Sequence, residues 1–90
     1  MEFEWDPIKA KVNLKKHGVS FLEASTIFGN PFEVMIPDPG HSMHEARFLS
    51  LGNSASARLL VVSYTERGSA IRIISAREAT ARERRQYETE

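Results

Sequence analysis

The sequence has no cysteine, which excludes disulfides, zinc–thiolate sites and thiol catalysis. It has no apolar run near the ~20 residues a membrane span requires. Its amino terminus, Met1-Glu2-Phe3-Glu4-Trp5-Asp6, is acidic where a signal peptide is basic. These absences predict a cytoplasmic protein with no membrane partner. No internal repeat, low-complexity stretch or helix-turn-helix of adequate length is present, which leaves a DNA-binding repressor as the weakest class. Charge of one sign is also lacking: 12 basic and 12 acidic side chains sum to zero, so the protein is not coated in positive charge. What remains is ordinary for a globular chain, 41% apolar and 27% charged over 90 residues. That length predicts a single domain, residues 1–90, with one thin core.

The neutral total conceals segregation. Four lysines (Lys9, Lys11, Lys15, Lys16) and no acid lie between Pro7 and His17. Between Arg67 and Arg85, six arginines (Arg67, Arg72, Arg77, Arg82, Arg84, Arg85) face two glutamates, Glu78 and Glu83. Five of the twelve acids collect at the ends: Glu2, Glu4 and Asp6 at one, Glu88 and Glu90 at the other. Such asymmetry suits an anionic partner, although helices also display charge simply to stay soluble.

Local signals predict the elements. Phe3 and Trp5 alternate with Glu2 and Glu4, a short strand with one buried face. Asp6-Pro7 starts a helix with the apolar positions Ile8, Ala10, Val12 and Leu14; Lys15, Lys16 and His17 suit its C-terminal dipole, and Gly18 closes it. Ser20 and Glu23 have capping-box spacing, with Val19 and Ala24 as the hydrophobic staple. They open a second helix with a core of Phe21, Ala24, Ile27 and Phe28, ended by Gly29-Asn30-Pro31. Strands are predicted at Phe32 to Ile36, Ala46 to Leu51, Ala57 to Glu66 and Ala70 to Ala76. Pro37-Asp38-Pro39-Gly40 is a loop, and turns fall at Gly52-Asn53-Ser54 and Arg67-Gly68-Ser69. Ser75 and Glu78 repeat the capping spacing and open a last helix to about Glu88. The order β-α-α-β-β-β-β-α is an α+β domain: a mostly antiparallel sheet with a helical hairpin on one face and a C-terminal helix.

Several linked motifs carry a resemblance. Phe3-x-Trp5-Asp6, Lys9, Asn13 and Lys16-His17-Gly18-Val19-x-Phe21-x-Glu23-Ala24 are similar to the opening signature of the BrnT toxin family. Glu45-x-Arg47 with Gly52 continues the likeness, as do Leu60-Val61-Val62-x-x-Thr65-Glu66-Arg67, Ile71-Arg72-Ile73-Ile74-Ser75-Ala76-Arg77 and Glu83-Arg84-x-x-Tyr87. The least typical stretch is Gly40 to Ala46. The resemblance implies a RelE-like fold and an endoribonuclease that arrests growth by cleaving RNA without a cofactor. It further implies neutralisation by a BrnA-type antitoxin, operator DNA bound only through the antitoxin complex, autoregulation of the operon, and a higher-order toxin–antitoxin assembly.

Metal-independent RNA cleavage needs a group to take the 2′-hydroxyl proton, cations to stabilise a phosphorane-like transition state, and an acid for the leaving 5′-oxygen. With the resemblance, the catalytic candidates are Lys16, His17, Glu45, Arg47, Arg67 and Arg77; the RNA-binding candidates are Lys9, Lys15, Arg72 and Arg84. Arginine forks suit phosphate, and Arg47, Arg67, Arg72 and Arg77 come from three adjacent segments that can converge on one sheet edge. Each candidate has a plainer reading. His17 suits proton transfer near neutrality but also a helix-end cap. Glu45 and Arg47 share strand parity but can form a surface ion pair, Arg72 can pack its stem at the sheet edge, and Glu83 with Tyr87 can fix the last helix to the sheet. His41-x-x-His44 with Asp38 falls short of a metal ligand set, so no metal is expected, and Phe3 and Trp5 read as core rather than as base-stacking residues. The alternative function is a non-catalytic nucleic-acid- or protein-binding module using the arginine-rich C-terminal third; a binder needs the positive charge but not the carboxylate and imidazole beside it.

Overall fold

The computed structural model describes residues 1–30, 33–37 and 46–88. Strand β1 (Glu2–Glu4) leads into helix α1 (Pro7–His17). Asp6 caps that helix, its Oδ1 accepting from the Ile8 N–H at 2.8 Å, and Pro7 sits in the first turn where its missing N–H costs nothing. Gly18, at φ +71°, closes the helix in the left-handed conformation and donates its N–H to the Leu14 carbonyl at 2.9 Å. Helix α2 (Phe21–Ser25) starts from Ser20, whose Oγ accepts from the Glu23 N–H at 3.0 Å, and tightens into a 3-10 turn over Thr26–Gly29. The predicted second helix is therefore two pieces.

Four strands follow, β2 (Val34–Pro37), β3 (Arg47–Asn53), β4 (Leu59–Arg67) and β5 (Ala70–Glu78), and then helix α3 (Ala81–Glu88). They form one sheet in the order β1-β5-β4-β3-β2, antiparallel except where β1 runs parallel to β5. The predicted α+β element order is the observed one. Gly68, at φ +60°, opens the two-residue turn joining β4 to β5, a position that favours glycine in a tight hairpin. The other predicted turn is displaced. Gly52 and Asn53 continue β3, and the chain reverses beyond Ser54, where the Ser54 N–H bonds the Arg58 carbonyl at 2.8 Å and Ala57 takes φ +62°. Glycine suits position 52 because a Cβ there would meet Ile27 Cβ at 3.4 Å, where β3 passes the 3-10 turn. Phe32 and the Asp38-Pro39-Gly40 loop lie outside the described residues.

Cross-strand pairing sorts side chains onto two faces. The inner face carries Leu60, Val62 and Tyr64 of β4 with Ile71, Ile73 and Ala76 of β5, packed against Val19, Phe21, Ala24 and Ile27. Phe3, Trp5, Phe28 and Phe48 complete this core, and the Phe28 and Tyr64 rings meet edge-to-face at 4.9 Å. At Ser63/Tyr64 the register with β5 slips, leaving Ile74 as an unpaired bulge residue. Because of that slip, Arg72 and Arg77, five residues apart, both lie on the outer face, opposite Thr65 and Val61 respectively.

Three corrections concern polar residues. Of the apolar positions of α1 only Ala10 packs against the core: Ile8, Val12 and Leu14 are 74%, 59% and 51% exposed, and the residue the helix buries is Asn13. The Asn13 amide accepts from the Ala76 N–H at 3.1 Å and donates to the Ala76 carbonyl at 2.8 Å and the Val19 carbonyl at 3.0 Å. Glu23 does not complete a capping box; its carboxylate binds Ser54 Oγ at 2.7 Å and the Arg58 guanidinium, which also donates to the Gly18 carbonyl at 3.1 Å. The Arg58 hydrogen bond holds the Glu23 carboxyl below its ordinary range. Ser75 and Glu78 do not open the last helix, because β5 continues to Glu78; that box is Thr80 and Glu83, with Glu83 N–H to Thr80 Oγ1 at 3.1 Å and Thr80 N–H to Glu83 Oε1 at 2.9 Å.

Asn13→Ala strands the buried N–H and carbonyl of Ala76 together. We expect it to lower stability by about 2–4 kcal/mol, a fall in melting temperature of roughly 10–25 °C for a chain this size. Thermal denaturation followed by circular dichroism checks this; a shift of a degree or two would be inconsistent with it.

Candidate functional site

The sheet's outer face holds most of the candidate arginines, at two separate stations. At the first, pairing places Glu4, Arg72, Thr65 and Arg47 side by side across β1, β5, β4 and β3. Arg72 Nη1 stands 4.0 Å from Glu4 Oε1, a loose pair, and among the described residues no ion pair holds Arg47. Between the arginines, Thr65 is 1% exposed and its Oγ1 has no hydrogen-bond partner. Arg67, at the exposed end of β4, shares the strand parity of Thr65.

At the second station, Arg77 lies beyond the bulge, about 15 Å along β5 from Arg72. Its guanidinium forks onto Glu83, Nη1 to Oε1 at 2.8 Å and Nη2 to Oε2 at 2.9 Å, which fixes α3 over the outer face. The two arginine groups do not converge on one point. The Arg77 hydrogen bonds push the Glu83 carboxyl down to about 2. Beside this contact, Glu83, Gln86 and Tyr87 of α3 overhang Val34, Leu49, Leu51 and Val61, enclosing a mostly apolar cleft of about 380 Å³. Arg84 is exposed on α3.

The lysines and histidine come together elsewhere. Lys9, Lys16 and His17 line a cleft of about 280 Å³ between α1 and β5, together with Ile8, Val12, Asn13, Ile74 and Ser75. Asn13 anchors this wall to Ala76, and the bulge brings Ile74 into it. Ser75 pairs with Ser63, so this cleft opens beside the outer face, about 7 Å along the sheet from Arg72, the two-residue step between their partners Ser63 and Thr65. Lys15 is exposed and does not line the cleft. Glu45, Asp38, His41 and His44 lie outside the described residues.

The sequence assigned no site role to three residues that the structure makes prominent. Asn13 entered it only as a position of the family signature. Thr65 and Glu4 join the arginine row through strand register, which has no local signature.

A carboxyl depressed on folding contributes stability that is complete above its unfolded value and lost as pH falls through its folded one. The Arg77–Glu83 contribution is therefore lost between the ordinary 4.5 and about 2. We expect the wild type to be more stable than Glu83→Gln above that window and to converge on it across the window. Melting of both proteins over a pH series tests this; a constant gap would contradict it.

The comparisons with known proteins agree with this architecture. Residues 5–83 match the family model described as the ribonuclease toxin, BrnT, of type II toxin–antitoxin systems. The fold is similar to the 1.1 Å crystal structure of the Brucella abortus ribonuclease toxin BrnT, with a TM-score of 0.66 and 24% identity over 89% of this chain and 97% of that one. No curated protein matches the chain. The matched segment runs from Trp5 to Glu83 and so takes in both helices of the hairpin, all of β2 to β5 and the capping box of α3; this chain belongs to the BrnT family of ribonuclease toxins of type II toxin–antitoxin systems.

Proposed function

We propose that this ribonuclease toxin cleaves RNA without a metal, by attack of a ribose 2′-hydroxyl on the adjacent phosphate, at the cleft between α1 and β5. The observation that carries this reading is the gathering of Lys9, Lys16 and His17 in one cleft beside the arginine-bearing face. The chemistry needs a proton acceptor, a proton donor and positive charge within a nucleotide's reach. His17 is the imidazole lining the cleft and the side chain we assign to proton transfer there. Lys16 and Lys9 neutralise the charge that builds on the phosphorane. As the 2′-oxygen bonds to phosphorus, its proton passes to the base; the bond to the 5′-oxygen breaks and that oxygen takes a proton from the acid. Glu45 is the further proton-transfer candidate, two residues before Arg47 in sequence.

The remaining cations extend the surface. Arg47, Arg67 and Arg72 bind phosphates along the outer face, while Lys15 and Arg84 add general attraction for RNA. Arg77 acts from its place on Glu83, holding α3 beside that face. Family membership implies an antitoxin; we assign a BrnA-type antitoxin, which would neutralise the toxin, carry the complex to operator DNA and repress the operon from a higher-order assembly in the cytoplasm. Among the described residues no helix is long and apolar enough to cross a membrane.

Purified protein is expected to degrade single-stranded RNA in the presence of a metal chelator. His17→Ala should slow cleavage by about 10²-fold or more with melting unchanged, because His17 is exposed. His17→Ala cutting at the wild-type rate would remove the cleft from the mechanism. Salt-sensitive RNA binding with no strand cleavage would establish the binding-module alternative instead.

A further inference from the structure

Buried hydroxyls in folded proteins almost always have a hydrogen-bond partner, and one without asks for a cause. Thr65 is such a case: 1% exposed, on the outer face, with its Oγ1 unbonded. Its environment is specific. Strand register puts Arg47 directly to one side and Arg72 directly to the other. The two arginine α-carbons are thus two strand spacings apart, about 10 Å, with the hydroxyl between them. Beyond Arg72 stands Glu4, whose carboxylate reaches that guanidinium only at 4.0 Å.

The geometry points to a phosphate-binding subsite formed by Arg47, Thr65 and Arg72, occupied by a backbone phosphodiester of the RNA and separate from the α1–β5 cleft. The proposal rests on the ribonuclease reading above and adds where the substrate strand is held. A phosphodiester fits this row because each guanidinium can donate to one of its two free oxygens, while the hydroxyl donates to whichever turns toward the sheet. Glu4 then acts as an internal substitute for that anion. It faces Arg72 while the subsite is empty and yields it when phosphate arrives, which the loose 4.0 Å separation permits. The bound phosphate lies about 7 Å along the sheet from Ser75 of the cleft, beyond the phosphate being cut.

Stability and binding separate this subsite from a packing accident. Thr65→Val keeps the shape and removes the unbonded hydroxyl, so the folded protein should be as stable as wild type or more so. The same substitution should weaken binding of a short single-stranded RNA with every 2′-hydroxyl methylated, which cannot be cut, by roughly tenfold to a hundredfold, the worth of one hydrogen bond to a charged group. Thr65→Ser should retain that affinity, and Glu4→Gln should raise it. Thr65→Val binding the methylated RNA as wild type does would overturn the subsite, as would equal loss in Thr65→Ser. Failure of the cleft assignment shows separately, as undiminished cutting by His17→Ala with the Thr65 affinities unaffected.

Discussion

The sheet has an edge that its own strands cannot cover. β5 is nine residues long and β1 pairs with only its first three, from Ala70 to Arg72. The remaining backbone groups of that edge are still obliged to find partners. At Ala76 both are met by one side chain, the Asn13 amide, which does there what the next strand would do. Its second donor bond, to the Val19 carbonyl, fastens the start of α2 as well. The position of α1, the seating of Val19 and Phe21 in the core and the wall of the α1–β5 cleft all follow from this contact. It also explains why α1 turns Ile8 and Val12 outward: a helix that docks through an amide at its middle turns its apolar stripe aside.

Arginine and lysine divide their work in this molecule. Arg58 joins Glu23 to the Gly18 carbonyl, tying β4 to the helix pair, and Arg77 joins Glu83 to hold α3. Both lay the planar guanidinium fork on both oxygens of one carboxylate, a geometry that an ammonium group cannot copy. The lysines of α1 take part in no ion pair among the described residues. The acids near these arginines are thus committed to structure, while positive charge stays available along α1 and the outer face. A zero total is compatible with a strongly uneven surface potential.

What the sequence showed was whatever depends on neighbours in the chain. The Asp6 cap, the Gly18 closure, the Ser20 start and the Gly68 hairpin are each set within a few residues, and each was placed correctly. The misplaced features depend on distant pairing. Ser75-x-x-Glu78 and Thr80-x-x-Glu83 have the same spacing, and only the extension of β5 opposite Leu60 decides between them. The Glu23 carboxylate left its capping role because Arg58, thirty-five residues away, offers a fork. The candidate site divides the same way. Lys16 and His17 were legible at a helix end, whereas the row of Glu4, Arg72, Thr65 and Arg47 exists only once four strands are in register.

The unpaired Ile74 bears on how this protein can change over generations. In a regular strand, Arg72 and Arg77 would point to opposite sides, as would Ile73 and Ala76; one extra residue restores agreement in both pairs. Loss of Ile74 would leave Arg72 and Arg77 four residues apart and Ile73 and Ala76 two apart, so a regular strand would keep both pairs on their present faces. A second inserted residue would instead set each pair on opposite sides, Arg77 turning toward the core and Ala76 toward water. The stretch can lose its extra residue without changing which side its neighbours face, but it cannot gain another.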